Sequence, residues 1–321
     1  MGKILNITNG DCAVAVMKKA GIPGEFLPWR DVLHEGPVPT GLVLEELSRV
    51  RAEYIAEQGW GEAETVRELF RQRDTVLKQC GRFEQVILWF EHDLYDQLQL
   101  IQLLDWFEHH RPSQTRVSLV CVEAYLGELS GDEMAALHQQ QQPVTHEQLQ
   151  LARTTWSAFR QKTPDAFAAL LDVDTSVLPF LHGAICRMLE EYPACASGLS
   201  RTASQLLSVL AKGQRAFPEL FGRCQQLEER RFLGDWSFRN ILGELSSSDP
   251  PLLQPAEKKR ESHSTEAERT VTITPFGRSV LAGEMNWMDH QKVDRWLGGV
   301  HLTLENLWCW NGDGGTIQKY R

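Results

Sequence analysis

The 321-residue chain has no run approaching the ~18 consecutive apolar residues needed to cross a bilayer. Its first residues are interrupted by Asn6 and by Asn9-Gly10-Asp11, which leaves no apolar stretch for a secretory leader. The cysteines (Cys12, Cys80, Cys121, Cys186, Cys195, Cys224 and Cys309) are far apart, with no C-x-x-C pair. A disulfide framework or a structural zinc site needs clustered spacings, so reduced, mostly buried thiols in a cytoplasmic protein are expected. Neither G-x-G-x-x-G nor G-x-x-x-x-G-K-[ST] occurs, which argues against dinucleotide-binding and P-loop chemistry. The absence of G-x-S-x-G and H-E-x-x-H argues against a serine hydrolase elbow and a zincin site. His109-His110 ends a helical pattern, where cations suit the helix dipole, and reads as a solvated terminus.

What is present is ordinary globular composition, 42% apolar and 24% charged, with length for about two domains. The net charge of −10 is unevenly placed. Residues 1–150 carry 13 basic and 23 acidic residues, and residues 151–321 carry 20 of each. The acidity belongs to the first half, which therefore lacks the basic surface that coats a polyanion.

Short apolar runs at Ile4–Ile7, Phe26–Trp29, Gln85–Phe90 and Val117–Val122 alternate with helical patterns at Ala13–Ala20, Leu44–Glu57, Ala63–Gln79 and Leu94–Trp106. Nearly continuous apolar strands suit a parallel sheet covered on both faces. The fold expected is α/β: a three-layer, mostly parallel sheet domain at 1–125. A helical bridge without convincing strands follows at 126–197, where Thr145-His-Glu-Gln148 reads as a helix start with its capping pattern displaced by one. Residues 198–283 give three helices and a hairpin, the order of a winged helix. A docked tail at 284–321 holds Trp287, Trp296, Trp308 and Trp310.

Every strand of the first domain runs into a carboxylate. Asn9-Gly10-Asp11 follows the first, Arg30-Asp31 the second, Glu91-His92-Asp93 the third and Glu123 the fourth, with Gln97 one helical turn beyond Asp93. Parallel strands would bring these groups to the carboxyl edge of the sheet, where open α/β sheets bind ligands. Clustered carboxylates need a cation, a protonated member, or counter-charges such as Arg30 and Arg295. Mg²⁺ or Mn²⁺ would suit such oxygen ligands. Asp11, Asp31, Glu91 and Asp93 are thus candidate metal ligands or acid/base groups, and His92 a proton carrier. Asn9, Gly10, Gln97, Glu123, Arg295 and His301 are candidate ligand contacts. The same pattern suits simple capping, since Asp11 and Asp93 each stand just before a helix, and Gly10 suits a tight turn. Gly298-Gly299 suggests close backbone approach.

The expected recognition helix, 235–244, offers Arg239 and Asn240 but also Asp235 and Glu244, and Lys258-Lys259-Arg260 at the hairpin tip is flanked by glutamates. Residues 199–283 hold 12 basic and 10 acidic residues, less than the basic stripe usual in a DNA reader.

Asn9-Gly-Asp11, Trp29-Arg-Asp-Val-Leu-His-Glu-Gly-Pro-Val38, Leu88-Trp-Phe-Glu-His-Asp-Leu-Tyr-Asp-Gln97, Thr274-Pro-Phe-Gly-Arg278 and Asp294-Arg-Trp-Leu-Gly-Gly-Val-His301 together resemble a bacterial family filed as a domain of unknown function. The resemblance spans nearly the whole chain and implies a bacterial cytoplasmic protein with an α/β first domain and a distinct C-terminal domain. It brings no activity, cofactor or catalytic residue. The expected function is binding of a small-molecule or nucleotide-type ligand at the acidic sheet edge, with metal-dependent hydrolysis or transfer. The alternative is a regulator that couples ligand sensing to a winged helix binding DNA or a protein partner.

Overall fold

The computed structural model describes residues 3–256 and 270–320. The chain forms two compact units, one of residues 1–186 with 296–301, the other of 187–295 with 302–321.

In the first unit the elements run β1 (Ile4–Thr8), α1 (Asp11–Lys19), β2 (Glu25–Pro28), β3 (Gly36–Pro37), α2 (Leu44–Glu57), α3 (Ala63–Lys78), β4 (Gln85–Glu91), α4 (Leu94–His110) and β5 (Arg116–Val122). There follow α5 (Gly131–Gln139), β6 (Gln142–Pro143), α6 (His146–Phe159), α7 (Asp165–Ala168) and α8 (Leu181–Leu189), whose last turn enters the second unit. The main sheet has the order β2-β1-β4-β5-β6 and is parallel except for β6. The α/β architecture expected from the alternation is the one observed. β6 was not expected in a stretch without convincing strands: two residues pair antiparallel to the edge of β5, too few to leave a hydrophobic pattern. The capping box at Thr145 is in register, with Gln148 at the third helical position.

Both faces of the sheet are buried, which explains the unbroken apolar runs. Ile87, Trp89 and Val120 pack on Ala13 and Met17 of α1 and Met134 of α5. Val86, Leu88 and Phe90 point the other way and are also fully buried. Helix α4 packs on β4 and α6 and is buried around most of its circumference, which accounts for its broad apolar face. Two of its buried amides make one bond each: Gln99 Nε2 donates to the Asp31 carbonyl (2.8 Å) and Gln102 Oε1 accepts from Trp29 Nε1 (2.7 Å).

The second unit contains α9 (Arg201–Ala211), β7 (Arg215–Ala216), α10 (Phe217–Gln225), α11 (Asp235–Ser247), β8 (Leu253–Pro255), β9 (Thr270–Ile273) and α12 (Pro275–Leu281). Strands β7, β9 and β8 form an antiparallel sheet in that order. The expected wing contacts Lys258, Lys259 and Arg260 lie outside the described residues.

In the tail, β10 (Arg295–Gly298) and β11 (Val300–Leu302) precede the antiparallel pair β12 (Trp308–Asn311) and β13 (Thr316–Lys319). β10 pairs parallel with β3, and the Gly299 amide donates to the Phe159 carbonyl at 2.9 Å. A Cβ on Gly299 would overlap the carbonyl of Arg160, so the close approach expected at Gly298-Gly299 is onto the end of α6. The expectation of seven free thiols is corrected: Cys195 and Cys309 are joined in a disulfide within the second unit. Pro193 and Cys195 exchange backbone hydrogen bonds with Trp310, and that pairing brings the two cysteines together across 114 residues. Among the described residues no helix is long and apolar enough to cross a membrane.

Candidate functional site: a buried carboxylate cluster at the sheet switch point

From β1 the chain moves outward to β2, and from β4 it moves outward the other way to β5. The carboxyl ends of β1 and β4 therefore flank the point where strand order reverses, the place where the crevice of such a sheet opens. The loop after β1 supplies Asn9, and the turn after β4 supplies Glu91, His92 and Asp93 before α4 begins. Asp93 is the N-cap of α4, accepting from the Asp96 amide at 3.2 Å.

Glu91, Asp93 and Asp96 each offer an oxygen such that the three atoms lie within 4.8 Å of one another, and all three residues are buried. Among the described residues no other set of acids, histidines or cysteines is so grouped. Asp96 Oδ1 accepts from the Glu91 amide (2.7 Å) and Oδ2 from the Asn9 side-chain amide (2.8 Å). Glu91 Oε1 accepts from the Leu126 amide at 2.8 Å. Burial, and then the Glu91 charge, push Asp93 up to about 7. Burial, with Asp93 and Glu91 beside it, drives Asp96 well above the carboxylate range. The two effects on Asp96 oppose each other: N–H donors on both oxygens favour the ionised form, whereas burial among like charges disfavours it. A hard divalent cation would resolve that conflict, since carboxylate oxygens are its natural ligands.

Of the expected residues, Asn9, Glu91, His92, Asp93 and Gln97 come together here. Gln97 Nε2 donates to the Glu91 carbonyl (2.7 Å) and contacts Cys121 Sγ at 3.4 Å. His92 is buried, its ring 5.0 Å from that of Tyr125 and 6.0 Å from that of Phe180. Asp11 stands apart in solvent, bound by Arg30 through two hydrogen bonds of 2.6 and 2.7 Å. The Arg30 hydrogen bond holds its carboxyl below the usual range. Asp11 is the first residue of α1 and not its cap; Gly10 holds that place in an extended conformation, and a Cβ there would touch nothing within 4 Å. Its glycine is therefore not demanded by a turn.

Asp31 is fully buried and answered by arginines, with Arg51 Nε at 2.9 Å and Arg73 Nη1 at 3.7 Å. Arg51 also donates to the carbonyls of Val32 (2.7 Å), Glu35 (2.7 Å) and Pro37 (3.3 Å), tying down the loop after β2. Glu123 is exposed at the end of β5. Arg295, in the second unit, is paired with Glu191 at 3.3 Å. His301 stacks on Trp296 with ring centroids 4.3 Å apart.

Asp96 was missed by the sequence reading. The signal was available: an acid at N3 behind an Asp N-cap faces the cap across one helical turn. The arginines that neutralise Asp31 left no signal, because they come from α2 and α3.

No protein-family model matches the chain, and a search of curated proteins finds none similar to it.

Proposed function

We propose that the first unit binds a divalent cation, Mg²⁺ or Mn²⁺, through Glu91, Asp93 and Asp96, and uses it to hold a small anionic ligand for hydrolysis or group transfer. The observation that carries this reading is the grouping of three buried carboxylates at the switch point. Asn9 orients Asp96, Gln97 fixes the backbone of Glu91, and His92 is the adjacent proton carrier. The setting we infer, from the resemblance of the sequence blocks, is bacterial and cytoplasmic. Titration with Mn²⁺ followed by electron paramagnetic resonance tests the site. One tight ion per chain is expected, lost in Asp96→Asn and weakened in Asp93→Asn. Unchanged binding in both variants would sink the proposal.

A second reading is favoured by the helix–strand–helix–helix–strand–strand order over residues 201–273, which suits a winged helix. In it the second unit is the output module of a ligand-sensing regulator that contacts DNA or a protein partner. Arg239, on the would-be recognition helix, has its guanidinium 3.7 Å from the centre of the Phe217 ring, an arrangement that draws it toward its own unit. A mobility-shift assay with random duplex at low salt decides the DNA form; absence of any shift removes it.

A further inference from the structure

Beside the carboxylate cluster, the loop after β2 and helix α3 border a cleft of about 240 Å³. Its walls are Trp29, Trp60, Phe70 and Tyr95, with Arg30 and Arg73. The Arg73 guanidinium is itself part of a stack, 3.9 Å from the Trp29 ring centre and 4.2 Å from that of Phe70. Flat aromatic and guanidinium surfaces around a narrow space select a planar ring. Leu69 at the rim remains 42% exposed, an apolar side chain that a bound ring would cover.

Tyr95 belongs to both the cleft and the carboxylate site. It lies in the chain between Asp93 and Asp96, and its hydroxyl reaches the Asn9 carbonyl at 3.5 Å. Arg30 has φ +43°, a left-handed conformation rare outside glycine. Such backbone strain concentrates at ligand sites. Asp11 occupies Nε and Nη2 of Arg30, and among the described residues Nη1 takes no hydrogen bond.

We infer that the cleft receives the aromatic ring of a ligand whose phosphate is held between Arg30 and the cation at the carboxylate cluster, the combination a nucleoside monophosphate presents. The phosphate half rests on the cation reading above; the ring half stands on the cleft itself. Bare carboxylates repel a phosphate, so the cation is what admits it. The space accommodates a base-sized ring and leaves sugar and phosphate outside, toward Arg30.

The probes are adenosine, inorganic phosphate, AMP and UMP, measured by calorimetry on the full chain with and without Mn²⁺. Adenosine should bind weakly without metal, and AMP and UMP about ten-fold tighter than adenosine once Mn²⁺ is present. Leu69→Trp, which fills the rim from an exposed helix position, should abolish adenosine, AMP and UMP binding while Mn²⁺ binding stays intact. Arg30→Met should reduce AMP affinity toward that of adenosine. The inference is overturned if AMP and UMP bind the Mn²⁺-loaded protein no better than inorganic phosphate, or if Leu69→Trp leaves them unaffected. Failure of Mn²⁺ itself to bind sinks the cation reading, and the adenosine arm, blocked or unblocked by Leu69→Trp, still decides the cleft.

Discussion

The Asn9 side-chain amide donates to the Asp96 carboxylate at 2.8 Å across 87 residues of chain. This bond ties the loop after β1 to the first turn of α4, across the crevice between the two central strands. It also gives Asp96 a second N–H donor and so favours its charge. Asn9→Ala is expected to weaken Mn²⁺ binding by about ten-fold, the effect of losing one hydrogen bond to a charged group. Asn9→Asp, which sets a fourth carboxylate against the cluster, should raise its dependence on the cation for stability. Metal titrations and melting curves of the two variants check both outcomes.

A pH dependence follows from Asp93. Its carboxyl in the folded protein is pushed up to about 7, above the value near 3.9 of an unfolded chain. The folded state therefore holds the proton more tightly, and that stabilisation is complete below about pH 4 and lost as pH rises to about 7, at about 1.4 kcal/mol per pH unit. In EDTA the wild-type protein should lose stability relative to Asp93→Asn over this window. Mn²⁺ competes with the proton, so its stabilising effect should grow over the same range. Denaturant melts at stepped pH read the difference; parallel curves for the two proteins would contradict it.

Asp31 is expected to be a stability determinant. Arg51→Met leaves its carboxylate fully buried with only Arg73, at 3.7 Å, to answer it. The cost should be about 3–5 kcal/mol, as for other broken buried pairs. Asp31→Asn should destabilise too, while Mn²⁺ affinity is unchanged. A loss of metal binding in Asp31→Asn at full folding would place Asp31 in the site instead.

The second unit has its own acid response. Burial alone would raise the Glu191 carboxyl, yet Arg187 and Arg295, with the Thr202 hydroxyl, hold it at about 2. A depressed carboxylate contributes stability present above the unfolded value near 4.3 and lost as pH falls toward 2. Glu191→Gln should flatten acid unfolding over that window while leaving the Mn²⁺ titration as it was.

Reduction of the Cys195–Cys309 bond should lower stability by about 2–4 kcal/mol, since it closes a loop of 114 residues. Cys309→Ser should reproduce the effect of dithiothreitol and be insensitive to it.

Much of the first unit was legible in its sequence. The apolar runs at Gln85–Phe90 and Val117–Val122 read as doubly covered strands because both faces of the sheet are in fact buried. Asp93 was legible as a cap, and it caps α4. Asp96 was not, because it falls in the first turn of a helix read mainly for its apolar face. The Cys195–Cys309 pair was also hidden: its partners meet only because Trp310 pairs with the Pro193–Cys195 segment, and spacing carries no trace of that.

The sequence by itself determined the strand–helix alternation and that acids stand at the strand ends, since both follow from short-range periodicity and turn chemistry. Only the tertiary structure decided which acids are drawn to an arginine and which are drawn to one another. The crossover through α2 and α3 sets Arg51 and Arg73 against Asp31, and the turn after β2 sets Arg30 against Asp11. Glu91, Asp93 and Asp96 are left together at the switch point, because Coulomb energy depends on distance in space and not on separation along the chain.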